Sequence, residues 1–214
     1  MKMSYLLYDG VEPVDLAAIG VMSMGQRVIP ELSYETVAAV RGPIRFANGL
    51  KVLADRSFDE VDAVDVLLVP GGPGWRAASR DPAILSFIQR AAPSSLVCSV
   101  CTGAMILAEA GVLDGIEATT KVQVVPPEVS PLEELGARFP AVEARAALIV
   151  DSGAVVTGGG VTLCIDAVLY LIGRRYGEPA AQEIARIMEY GAARRANQER
   201  FAGATNVIES TLPG

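Results

Sequence analysis

The chain of 214 residues contains no histidine. That absence excludes every Cys-His or Ser-His catalytic pair and every histidine-based metal site formed within the chain. Cysteine is scarce, limited to Cys98, Cys101 and Cys164. An odd, sparse set does not read as a disulfide framework, and no zinc-ligand spacing is present. Positive charge is also short: 18 Lys and Arg against 25 Asp and Glu leave a net charge of −7. Such a surface repels phosphate backbones and anionic headgroups, so neither nucleic acid nor a membrane is an expected partner. A membrane-length apolar run is missing too. The longest uncharged stretch, 91–108, is broken by Pro93, Ser94, Ser95, Ser99, Thr102 and Gly103, and reads as strand, turn and helix. The opening MKMSYLLYDG is too short for a signal h-region and has no small-residue cleavage site, so a cytoplasmic protein is expected.

What is present is 51% apolar and 20% charged, a globular composition, with length enough for one packed core. Apolar runs alternate with helical patterns. Strands are predicted at 4–8, 34–40, 66–69 and 96–100, with hairpins at 44–53 and 147–157. Helices are predicted at 13–24, 82–92, 103–110, 132–139, 162–176 and 179–190. Asp81-Pro82 supplies an N-cap and an N1 proline, and Gly111 a C′ stop. The tail after Asn197 has little periodicity and is expected to be irregular. The strands are apolar without polar alternation, which implies a mostly parallel sheet covered on both faces. No linker or internal repeat divides the chain, so a single α/β domain of doubly wound type spanning 1–214 is expected.

In such folds ligands bind at the carboxyl ends of the strands. Three motifs fall there: Val69-Pro70-Gly71-Gly72, Val100-Cys101-Thr102-Gly103 and Thr157-Gly158-Gly159-Gly160. Cys101 joins a buried strand to a helix with no residue to spare, which demands the sharp turn of a nucleophile elbow. The helix N-terminus is expected to lower its pKa, and the Thr102 N–H to bind developing negative charge. The Gly71-Gly72 turn is expected to offer a second donor. Cys98 and Cys164 read as buried small hydrophobes. Without histidine the thiol needs another proton carrier. Asp15, in the first turn after the first strand, is the candidate, since burial beside the sulfur would raise its pKa. Its bland role, shared by Glu12, is interaction with a helix dipole. The triple glycine lacks phosphate-loop features and is read as close backbone approach to the cysteine. Trp75 either caps a pocket or covers the sheet. The Arg174-Arg175 and Arg194-Arg195 pairs read as solvated helix faces.

Together Leu67–Gly72, Ser99–Ala104 and Thr157–Thr162 resemble the ThiJ/PfpI superfamily of class I glutamine-amidotransferase-like domains, over about residues 3–176. That resemblance implies a flavodoxin-like three-layer sandwich, a reactive elbow cysteine, an acidic partner from the first helix and a homodimer. Glu12-Pro13-Val14-Asp15-Leu16 is similar to the isonitrile hydratase branch, which carries Asp where other members carry Glu. Carried over by position, Cys101 would be the nucleophile, Asp15 the general acid/base and Thr102 an assisting group. Gly72 would line the oxyanion side, and Gly160 and Val161 would pack against the cysteine. Many relatives place His or an aromatic after the paired threonines; here Thr119-Thr120 is followed by Lys121. The activity implied is addition of water to a small-molecule isocyanide, with neither metal nor cofactor. The alternatives are a cysteine-based redox or small-molecule sensor that does no turnover, and another Cys-dependent hydrolase or lyase.

Overall fold

A computed structural model describes residues 1–201 and the backbone of 206–207. Chain order begins with strand β1 (Lys2–Leu6), helix α1 (Ala17–Gly25), β2 (Ser33–Ala38) and the β3 (Gly42–Arg45)–β4 (Lys51–Ala54) hairpin. β5 (Arg56–Ser57), β6 (Val66–Val69), α2 (Trp75–Ala78), α3 (Pro82–Ala91), β7 (Leu96–Ser99) and α4 (Gly103–Glu109) follow. Next come β8 (Glu117–Ala118), α5 (Pro131–Arg138), β9 (Glu143–Ala144), β10 (Ile149–Asp151) and β11 (Val155–Gly158). The chain closes with α6 (Cys164–Tyr176), α7 (Glu178–Ile187), α8 (Gly191–Arg200) and β12 (Asn206–Val207).

The main sheet has the order β12-β10-β11-β7-β6-β1-β2-β5 and is parallel except for the β10–β11 pair. Helices α1, α6 and α7 pack together in one layer, and α2 to α5 in the other. This is the mostly parallel α/β sheet with covering helices that the sequence implies. Its physical basis is visible in β6, VLLV, whose four residues are all buried because helices cover both faces. α4 is likewise buried along six of its seven residues, so its sequence shows no amphipathic stripe. α3 begins as its sequence demands. The Asp81 carboxylate accepts the Ala83 N–H at 2.9 Å and Pro82 occupies the first turn.

Two expectations are corrected. The region after Asn197 is not irregular throughout: α8 runs on to Arg200, and β12 adds to the sheet beside β10. α8 carries few apolar residues because polar contacts hold it. Asn197 Nδ2 and the Tyr190 hydroxyl both donate to Asp166 Oδ2 at 2.8 Å. Nor are both arginine pairs solvated. Arg174 donates to Asp151 Oδ1 and to the Gly153 carbonyl, and Arg194 is buried against the Glu178 carboxylate. The partners arrive from other elements, so no local pattern announces them.

β1 is followed toward β2 on one side and has β6 on the other, so the direction of winding reverses between β1 and β6. Such a switch point leaves a crevice at the strand ends. The segments leaving β1, β6 and β7 converge there.

Candidate active site

β7 ends at Ser99, and α4 starts at Gly103. The intervening turn puts Cys101 at φ 52°, in the left-handed region, which costs an L residue about 1–2 kcal/mol. Bonds on both sides of the residue hold it there. The Cys101 N–H donates to the Gly159 carbonyl at 3.1 Å, and the Thr120 hydroxyl donates to the Cys101 carbonyl at 2.7 Å. Gly103 lets α4 begin against β6, since a Cβ there would collide with the Val69 carbonyl oxygen.

Cys101, 3% exposed, borders a cavity of about 360 Å³ that Gly72, Thr102, Lys121 and Val161 also line. Trp75 forms part of its wall, with the Arg76 guanidinium 4.3 Å from the ring centroid. Of its two readings, the pocket wall is therefore the one realised. Gly160 sits against the sulfur: a Cβ on it would lie 3.1 Å from Cys101 Sγ and 2.9 Å from Lys121 Cβ. The triple glycine is thus a close-approach strip.

Asp15 lies in a 3₁₀ turn, Pro13–Leu16, that follows β1. It is fully buried and is not one of the residues that line the cavity. Its Oδ2 accepts the Gly71 N–H at 2.7 Å, and its Oδ1 has no hydrogen-bond partner among the described residues. Burial is the main cause that pushes its pKa from 3.8 up to about 7; the Gly71 N–H opposes this, and the charge on Glu12 adds to it. Glu12 itself lines the cavity and caps the turn through a 3.4 Å bond from the Val14 N–H.

The thiol does not behave as a helix N-terminus alone would dictate. Burial pushes Cys101 up to about 12, and the negative charge of Asp15 pushes the same way. The Thr102 N–H, Lys121 and the Thr102 hydroxyl pull it down, in that order, and lose. A seven-residue helix cannot offset removal of the thiolate from water. The expected second donor is also absent. Both N–H groups of the glycine turn are spent, Gly71 on Asp15 and Gly72 on Thr102 Oγ1 at 3.0 Å. Gly72 lines the cavity, but as a wall.

Cys98 and Cys164 are fully buried, and burial raises both thiols. Among the described residues no cluster of three or more metal-ligating side chains exists, and no helix is long and apolar enough to cross a membrane. Sequence reasoning missed the short helix α2, whose first residue is Trp75. It named Thr120 only as half of a threonine pair. The signal for Trp75 was its place directly after Gly72-Pro73-Gly74. Thr120 had none, because its hydroxyl acts on a residue 19 positions away.

Comparison with known proteins agrees with this geometry. An isonitrile hydratase from Pseudomonas putida is 30% identical over 195 residues, covering 90% of this chain and 80% of that protein. The transcriptional regulator GbdR of Pseudomonas aeruginosa is 26% identical across 99% of this chain, which spans 57% of the regulator's length. A deglycase from Thermococcus kodakarensis is 32% identical over 58% of this chain and 74% of its own. A DJ-1 superfamily protein from Salmonella typhimurium superposes with a TM-score of 0.74 at 24% identity, over 88% of this chain and 98% of that one. Drosophila melanogaster DJ-1beta gives 0.72 at 18%, over 87% and 96%. The elbow cysteine, the glycine strip behind it and every strand of the main sheet except the edge strand β12 lie within residues 2–172, the stretch that matches the DJ-1/PfpI family, and the chain belongs to that family.

Proposed function

We propose that the chain adds water to an isocyanide and releases an N-substituted formamide. The reading rests on one observation above others. Asp15 and Cys101 meet at one glycine in a site that has no imidazole: the Gly71 N–H is held by the Asp15 carboxylate at 2.7 Å, Cys101 Cβ lies 2.7 Å from the point a Cβ on Gly71 would occupy, and the charge of Asp15 raises the thiol. Between about 7, to which Asp15 is pushed up, and about 12, to which Cys101 is pushed up, the pair holds one proton. That proton resides mainly on sulfur, as thiol beside carboxylate, and its transfer to Asp15 gives the minor tautomer, carboxylic acid beside thiolate, through which the reaction proceeds.

In this reaction the Cys101 sulfur attacks the terminal carbon of R–N≡C, and Asp15 gives its proton to the same carbon. The product is the thioimidate R–N=CH–S–Cys101. The Asp15 carboxylate then takes one proton from water as the water oxygen adds to that carbon, and passes this proton to the nitrogen. Collapse breaks the C–S bond, leaves R–NH–CHO, and returns the remaining proton to the Cys101–Asp15 pair. Thr102, whose N–H and hydroxyl favour the thiolate, stabilises sulfur as it leaves. Gly72, Gly160 and Val161 shape the wall. The 30% identity to the isonitrile hydratase of Pseudomonas putida supports this substrate class.

Purified protein is expected to convert an aryl or alkyl isocyanide to its formamide, measured by chromatography and mass spectrometry. Full activity in Cys101→Ala overturns the mechanism. The match to GbdR over nearly the whole chain favours a second reading, a ligand or redox sensor that does no turnover. Selective oxidation of Cys101 by mild peroxide in a protein without isocyanide turnover would select it. A homodimer, acting in the cytoplasm, is part of the proposal. Light scattering tests the first.

A further inference from the structure

Lys121 stands where the resemblance leads one to expect histidine or an aromatic ring, and the hydration chemistry leaves it without a role on the substrate. Its stem and the Cys101 sulfur flank the same glycine. Lys121 Cγ and Cys101 Sγ each lie 3.1 Å from the point a Cβ on Gly160 would occupy. The lysine and the nucleophile therefore share one wall of the cavity.

Charge sorting then singles the lysine out. The cavity is lined by two cations, Arg76 and Lys121, and three carboxylates, Glu12, Glu128 and Glu134. Arg76 is committed, since its two terminal nitrogens hold the two oxygens of Glu134 at 2.6 Å each. Arg138 adds a further bond to Glu134. Glu12 is engaged with the Val14 N–H. Among the described residues the one carboxylate paired with Lys121 is Glu128, at 3.6 Å, with the lysine 22% exposed and the glutamate 62%. A long ion pair with an exposed partner is worth little. Lys121 is thus a half-buried cation whose present partner a better-placed anion can displace. Val124, Val161 and Trp75 line the same cavity and offer apolar contact.

The isocyano group cannot answer that charge, because its terminal carbon must face Cys101. The answering group must sit on R, close to the nitrogen. We propose that Lys121 is the specificity-determining residue of the site and selects isocyanides that carry a carboxylate near the isocyano nitrogen. The substrate class rests on the hydratase reading; the preference for a carboxylate does not need turnover.

The test uses the full-length protein with isocyanoacetate and its neutral methyl ester. Wild type is expected to favour the acid in kcat/KM. Lys121→Met should lower the acid-to-ester ratio about 10- to 100-fold, the worth of one charge-assisted hydrogen bond. The ratio cancels any effect of the lysine on the thiol itself. Lys121→Arg should retain most of it. Glu128→Gln, which frees the ammonium, should lower KM for the acid about 2- to 5-fold. If Lys121 merely staples its loop to Glu128, Glu128→Gln will act in the same direction as Lys121→Met, and the proposal falls. It falls also if the ratio does not move in Lys121→Met. A second arm is independent of catalysis. N-formylglycine should protect Cys101 from iodoacetamide better than N-formylglycinamide does in wild type, and equally in Lys121→Met. Protection without isocyanide turnover would discard the hydratase reading and keep the carboxylate site; equal protection in wild type would discard the site.

Discussion

Cys101 is held in a conformation that its own chemistry does not favour. At φ 52° a glycine would sit without strain, so Cys101→Gly and Cys101→Ala should part company. Both lose the nucleophile. The glycine variant should nonetheless be about 1 kcal/mol more stable than the alanine variant in urea unfolding. An alanine variant more stable than the glycine variant by about 0.4–1 kcal/mol, the entropy difference alone, would show that the turn carries no strain. Thr120 is the residue that holds the elbow from the carbonyl side. Thr120→Val leaves the buried Cys101 carbonyl without that donor and should cost about 1–2 kcal/mol, with reduced turnover and no change in substrate preference.

At the scale of elements, the site depends on how closely α4 approaches β6. Gly103→Ala drives a methyl group into the Val69 carbonyl, and the backbone must shift to admit it. The expected loss is about 1–3 kcal/mol, with activity falling further than stability because the elbow itself moves. Circular dichroism melts and turnover on the same samples check this. The element pattern was largely legible in the sequence: the hairpin around Asn48-Gly49, the capped start of α3 and the glycine stop of α4 all obey local rules. α2 and α8 were not legible. α2 is too short for a period to register, and the Asp166, Tyr190 and Asn197 contacts that dock α8 join separate helices.

For the molecule as a whole, Asp15 ties stability and activity to pH in opposite directions. Its pKa is raised in the fold, from 3.8 to about 7. Below 3.8 both folded and unfolded chains are protonated and nothing is lost. Between those values the unfolded chain gives up its proton and the fold keeps it, so stability falls as pH rises. Above about 7 the cost is complete, on the order of 4 kcal/mol as an upper figure. Asp15→Asn should abolish that decline, which denaturation at pH 5 and pH 8 will measure. Turnover should do the reverse in wild type. The one-proton pair forms as pH passes about 7, so kcat/KM should climb through that value and level off above it. A profile flat from pH 5 to 9 would remove Asp15 from the proton chemistry.

The sequence by itself determined the class of fold, through apolar strands alternating with helices, and the position of the elbow. Strand, cysteine and helix are contiguous there, and contiguity is what local rules read. The missing histidine meant that the thiol needs another proton carrier, for which Asp15 is the candidate. Tertiary structure decided the electrostatics. Burial outweighed the helix end at Cys101, both glycine-turn N–H groups were consumed by Asp15 and Thr102, and Lys121 was set beside the sulfur. Each of these depends on what lies across a few ångströms of space from residues far apart in the chain, and solvation and charge act through that space.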